Sequence, residues 1–250
     1  MNTITISFFM SFIAGISTII GVIPCFFKEK NKEYIIASSL AFSSGVMLTI
    51  SLASLIPEAA SLTSEIYKPI PAFLTSAIFV LVGVIFSTSI DSKIEQKISN
   101  SNLYKLGLIS AIVLILHNIP EGITTFVSTT ADKSLGFKLA FAIALHNIPE
   151  GISIAIPIYY STKNKKKAFI YTLIAGLSEL LGALIAYIFF QDHITPFILS
   201  IILSLTAGIM IDISIYEFLP NSFEYKKNKA TVYYFVLGII IMFLSEMFLF

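Results

Sequence analysis

Apolar positions gather into eight long runs, at about residues 4–25, 34–55, 70–90, 104–127, 136–159, 168–190, 195–219 and 231–249. Each supplies the roughly 20 mostly apolar residues that a helix needs to cross a bilayer. None breaks into the short segments of alternating polarity that build a membrane barrel. The runs occupy nearly the whole chain, so a single polytopic membrane domain over residues 1–250 is predicted, with no room for a soluble one. The first run has no basic residue ahead of it and no small-residue cleavage pattern behind it. It reads as a retained helix and not a signal peptide. The predicted fold class is an all-α integral membrane protein of eight transmembrane helices.

Composition agrees. Hydrophobic residues make up 56% of the chain and charged residues 12%, where a soluble domain carries about 25% charged. The single cysteine, Cys25, cannot form a disulfide within its chain. A net charge of +1 leaves no basic excess to attract nucleic acid. All sixteen basic residues are lysines, and their distribution orients the helices. Thirteen fall in or beside the odd-numbered connections (Lys28, Lys30, Lys32; Lys93, Lys97, Lys105; Lys163 and Lys165 to Lys167; Lys226, Lys227, Lys229), against Lys68, Lys133 and Lys138 in the even ones. Cytoplasmic loops carry the excess of positive charge, so the odd connections are expected inside and both termini outside.

The chain also repeats itself. Ile13-Ala14-Gly15-Ile16-Ser17 in run one matches Ile174-Ala175-Gly176-Leu177-Ser178 in run six. Gly45-Val46-Met47 and Leu55-Ile56-Pro57 in run two match Gly208-Ile209-Met210 and Phe218-Leu219-Pro220 in run seven. Runs four and five share His-Asn-Ile-Pro-Glu-Gly-Ile, at 117–123 and 146–152. Every match joins an odd run to an even one, so its members cross the membrane in opposite directions. Inverted repeats of this kind are typical of secondary transporters with a site near the midplane. A 3+2+3 inverted-repeat arrangement is therefore expected, in which runs three and eight are paired by position alone.

The duplicated motif carries the candidate chemistry. His117, Asn118 and Glu121 are spaced to share one helical face, and so are His146, Asn147 and Glu150. Pro120 and Pro149 each remove a backbone donor and crowd the carbonyl four residues earlier, at Leu116 and Leu145. Ionised groups at the bilayer centre cost about 2.5–3.5 kcal/mol each and need partners. Either the histidines and glutamates pair with one another as polar glue between helices, or they bind a metal. Imidazole with carboxylate suits zinc, iron, manganese and related divalent ions. Glue has no need of the same four residue types twice, with a proline inside each copy.

These paired motifs resemble those of the ZIP (Zrt/Irt-like) family of divalent metal transporters, specifically its short bacterial ZupT-like branch. The resemblance covers all eight runs and implies import of zinc, and of iron, manganese, cobalt or cadmium, across the bacterial inner membrane. It implies a two-metal centre, with His117, Glu121, His146 and Glu150 around one ion. Asn118, Glu121, Asn147, Glu150 and Glu179 would surround the other, the glutamates at 121 and 150 bridging. Met47 resembles an additional thioether ligand, against the alternative of packing. The metal is cargo, and no separate cofactor is implied. Many members have a long histidine-rich loop between runs three and four; residues 91–103 contain no histidine.

Other polar residues carry weaker expectations. Asp212, opposite Thr49 in the repeat, resembles a pore-lining residue and could face the cavity, carry a proton or form a local pair. Glu217 would lie on an exit path and Glu58 at an outer mouth. Asp192 and His193 read as a solvated turn, and Cys25 as inert. The expected partners are divalent metal ions and the lipid bilayer. Oligomeric state is left open, a homodimer included. An intramembrane metallohydrolase would want His-Glu-x-x-His on one helix, which is absent, so no enzymatic activity is expected. A passive metal channel and a purely structural bundle are the remaining alternatives.

Overall fold

The computed structural model describes residues 2–26, 31–64, 66–97, 102–190 and 195–249. The eight runs form eight helices: α1 Thr3–Phe26, α2 Lys32–Ser64, α3 Pro69–Ser89, α4 Leu103–Ala131, α5 Gly136–Thr162, α6 Lys165–Phe189, α7 Pro196–Glu224 and α8 Asn228–Met247. Among the described residues there is no strand. Short polar residues start the helices. Asn2, Asn31 and Asn164 accept from the N–H three residues on, at 2.8, 3.2 and 3.1 Å, and Thr195 does so at 3.3 Å, just before Pro196. Each cap satisfies a donor that the first turn leaves orphaned.

Two helices run further than the apolar pattern suggests, α2 past Pro57 to Ser64 and α7 past Pro220 to Glu224. In both, a π turn precedes the proline, at Ser51–Leu55 and Ile213–Phe218. The Ile56 N–H reaches back five residues to the Ser51 carbonyl, and the Leu219 N–H to that of Ser214. The widened turn gives the ring room against the carbonyl it would otherwise strike, so the helix continues. These π turns occupy matching positions in the repeat. Likewise α4 and α5 run as unbroken helices through Pro120 and Pro149.

Burial sets α4 and α5, with α2 and α7, inside and leaves α3 and α8 at the edge. In the most apolar stretch of each helix, 67% is buried in α4, α5 and α2 and 61% in α7, against 22% in α3 and 17% in α8. The crossings are made by glycine. A side-chain carbon on Gly15 would strike the Gly176 carbonyl, and one on Gly176 would strike that of Gly15, so α1 and α6 meet backbone to backbone. At Gly122 it would strike the Glu179 carbonyl, and at Gly151 that of Thr18. These are equivalent contacts of α4 with α6 and of α5 with α1. The outer helices repeat the pattern. Gly45 abuts the Phe235 carbonyl and Gly238 that of Phe42, while Gly208 abuts Val80 and Gly83 abuts Leu205. The α2–α8 crossing thus matches α7–α3, and Gly83 corresponds to Gly238. Small residues let membrane helices approach this closely.

Candidate functional site

The two motif copies face each other across the α4–α5 contact. His117 Nε2 lies 3.0 Å from Glu150 Oε1, and His146 Nε2 lies 3.2 Å from Glu121 Oε1. Each histidine is therefore paired with the glutamate of the other helix and not with the one four residues along its own. All four side chains are buried. The asparagines turn outward from this quartet: Asn118 Nδ2 donates to the Ala175 carbonyl of α6 at 3.1 Å, and Asn147 Nδ2 to the Ala14 carbonyl of α1 at 2.9 Å. Ala14 and Ala175 are repeat partners, so these bonds are equivalent too.

At this centre the repeat breaks at Glu179. Glu179 on α6 is fully buried, and its Oε2 accepts from Asn147 Nδ2 at 2.9 Å. Its partner on α1 is Thr18, a buried hydroxyl without a hydrogen-bond partner. Only one half thus brings a third carboxylate to the centre.

The pairs leave much unsatisfied. His117 Nδ1, His146 Nδ1, Glu121 Oε2, Glu150 Oε2, Glu179 Oε1, Asn118 Oδ1 and Asn147 Oδ1 are all buried without a hydrogen-bond partner. Buried polar atoms in folded proteins are almost all paired. Of the fifteen such atoms among the described residues, seven gather at this spot, and five of the seven are carboxylate or amide oxygens, which are lone-pair donors. His117, Glu121 and Glu150 each offer one ligand atom, all within 4.8 Å of one another, a spacing that can close on one divalent ion. His146 lies outside that triplet and joins it through Glu121.

A cavity of about 490 Å³ reaches this centre. Glu121 and His146 line its inner end, with Thr124, Thr206 and Ile143 among its walls, and Glu58 and Glu246 line it further out. It lies on the side of the even-numbered connections and the chain termini. On the lysine-bearing side of the motifs, the buried side chains of Leu114, Ile154, Ile158, Met47 and Met210 belong to one apolar core cluster.

Met47 therefore lies with its repeat partner Met210 in apolar packing. Asp212 does not line the cavity; it is buried against α3, where Thr88 Oγ1 donates to its Oδ1 at 2.9 Å. Glu217 is half-buried near the lysine-bearing end of α7. Cys25 is buried, its thiol 3.6 Å from the Ala155 carbonyl. Asp192 and His193 lie outside the described residues. Glu246 was missed by the sequence reading, which took run eight as plain span. The available signal was a carboxylate inside an otherwise apolar run, uncommon enough in lipid to mark a functional position.

Eight apolar helices around a buried histidine–carboxylate centre define a multi-pass membrane protein able to hold a divalent metal. The family profile described as ZIP zinc transporter matches residues 87–246. A zinc transporter ZupT of Chlorobium luteolum is 35% identical, covering 98% of each chain. That of Clostridium perfringens is 33% identical over 98% of this chain and 96% of its own. That of Streptococcus mutans is 36% identical over 96% of each. The chain belongs to the ZIP family of metal transporters, and it is not an enzyme.

Proposed function

We propose that this protein is a secondary transporter moving divalent transition metal, zinc first, with iron, manganese, cobalt or cadmium as further cargo, into the cytoplasm. It is read as a single membrane domain in the bacterial inner membrane, with both termini outside. That orientation rests on the lysine distribution, and zinc on the name the relatives carry. The 3+2+3 inverted-repeat arrangement is supported by the matched glycine crossings.

The observation that carries the reading is the set of partnerless lone-pair atoms at the α4–α5 contact. Helix glue left unsatisfied at this many atoms would be poor glue, because in low dielectric an unpaired polar atom is costly. A cation uses those atoms. We assign His117, Glu121, His146 and Glu150 to one ion. Asn118, Asn147 and Glu179, with the two bridging glutamates, hold a second. Two divalent ions bring +4 against three carboxylates, which offsets the burial of so much like charge.

Metal enters through the cavity past Glu58 and Glu246, exchanges water for these ligands, and leaves on the lysine-bearing side when the apolar cluster opens. Met47 would meet the ion on that way out, and Glu217 would receive it nearer the cytoplasm. Asp212 is read as holding α7 to α3 through Thr88. The apolar cluster packed on the lysine-bearing side of the motifs favours a carrier that rocks about its site over a passive channel, which needs a continuous path.

Radiotracer zinc uptake into proteoliposomes tests this, comparing wild type with Glu121→Ala and Glu150→Ala. Saturable uptake lost in both variants, and blocked by transition metals but not by magnesium, is the expected result. Folded wild-type protein that binds no zinc would overturn the site, and flux that never saturates would mark a channel.

A further inference from the structure

Three lysines converge on aromatic rings where α1, α2, α5 and α6 end or begin on the lysine-bearing face. Lys32 and Lys163 share one ring, with Nζ atoms 5.8 and 4.9 Å from the centroid of Tyr160. Lys163 also lies 5.9 Å from Tyr159, and Lys165 sits 4.6 Å from the centroid of Phe26. The backbone at Lys163 is left-handed, φ 56°, directly after the last turn of α5, with its N–H bonded to the Tyr159 carbonyl at 2.7 Å. Glycine usually fills such a position. A lysine there accepts strain and brings its ammonium over Tyr160.

Two ammoniums on one ring repel each other, and cation–π attraction at exposed sites offsets only about 0.5–1 kcal/mol of such cost. The carboxylate next in sequence to Lys32 does not relieve them, because Glu33 pairs with Lys227 at 3.4 Å. Among the described residues no salt bridge is formed by Lys32, Lys163 or Lys165. Beneath them the surface is apolar and open: Phe26 is 59% exposed, and Phe169 and Ile170 on the first turns of α6 are exposed as well. A compact positive cluster over a lipid-facing apolar wall fits a molecule with a phosphate at one end and acyl chains at the other. Free phosphate would leave the wall without a partner.

We propose that Lys32, Lys163 and Lys165, seated on Tyr160 and Phe26, bind the headgroup of an anionic phospholipid. Juxtamembrane lysines attract such lipids, and here they are held in place by the rings. The site joins the start of α2 to the ends of α1 and α5 and the start of α6. It is independent of the metal reading, since its readout is lipid and not zinc.

Native mass spectrometry on protein released from vesicles of phosphatidylglycerol and phosphatidylcholine, with the same acyl chains, tests it. Wild type should retain phosphatidylglycerol preferentially. Lys32→Gln/Lys163→Gln should reduce that retention by about tenfold or more, while Lys226→Gln/Lys229→Gln, with the same charge change on the same face, should not. Excess inorganic phosphate should leave the bound lipid in place. Equal retention of both lipids by wild type, equal losses in the two double variants, or stripping by phosphate would each overturn the proposal. If the first double variant does not fold, Lys163→Gln alone carries the same comparison.

Discussion

The two halves of this molecule are built on one plan and differ where the chemistry is. Around α1 and α5, Asn147 reaches the Ala14 carbonyl and Gly151 presses on Thr18; around α6 and α4, Asn118 reaches Ala175 and Gly122 presses on Glu179. These contacts correspond, yet one half contributes a hydroxyl and the other a carboxylate. Packing is therefore shared by the halves, while charge at the centre is not. A symmetric centre with an acid at both positions would hold four carboxylates, matching the +4 of two divalent ions, whereas the three present would leave the filled centre at +1. A second asymmetry lies further from the centre, where Asp212 bonds to Thr88 while its partner Thr49 bonds back to its own helix at the Gly45 carbonyl.

The comparison can be broken in graded steps. The largest effect is expected where the halves are identical: Glu121→Ala or Glu150→Ala should lower zinc uptake in proteoliposomes by at least about a hundredfold, since even groups that only support a metal ligand cost 10–100-fold. Next comes the position where they differ. Glu179→Thr should reduce the zinc bound per chain in titration calorimetry from two to one and weaken affinity by about tenfold or more. Adding Thr18→Glu should restore the second ion if the halves are interchangeable. Failure of that double variant to bind a second zinc, in folded protein, would show that the asymmetry extends beyond one side chain.

A purely structural effect follows. Gly122→Ala places a methyl group on the Glu179 carbonyl and should cost about 1–3 kcal/mol, read as a lower unfolding temperature in detergent; Gly151→Ala should match it. The cavity carboxylates should matter less. Glu58→Gln with Glu246→Gln is expected to raise the half-saturating zinc concentration a few-fold at low salt and hardly at all at high salt, where exposed charges are screened. The smallest change is expected from Asp212→Asn, which keeps an acceptor for Thr88 and should leave uptake within about threefold of wild type if the residue only joins two helices. A complete loss of transport there would return Asp212 to the metal or proton path.

Much of this architecture could be read before any coordinates. Helical spacing puts His117, Asn118 and Glu121 on one face whatever surrounds them, because 3.6 residues per turn is a local property. Length and hydropathy likewise mark eight spans, and the repeats at Gly15/Gly176, Gly45/Gly208 and the duplicated motif need only comparison of the chain with itself. Runs three and eight could be paired by position alone because α3 and α8 share little beyond Gly83 and Gly238, and one glycine in a membrane helix is no signal. The true ends of α2 and α7 escaped because proline normally stops a helix, and the π turns that admit Pro57 and Pro220 have no sequence mark of their own.

What the sequence by itself determined is which residues travel together: eight apolar helices, lysines gathered at one set of connections, and two ligand-bearing faces of the same composition. Only the tertiary structure decided what those faces meet. It crossed the pairs, His117 to Glu150 and His146 to Glu121, brought Glu179 and Glu246 from distant helices, and put the cavity on one side of the centre and the apolar cluster of Met47 and Met210 on the other. The reason is range. Periodicity is settled within a turn of helix, whereas the partner of a face depends on how closely two backbones approach, which is set by glycines far apart in the chain and becomes visible only when the helices are packed.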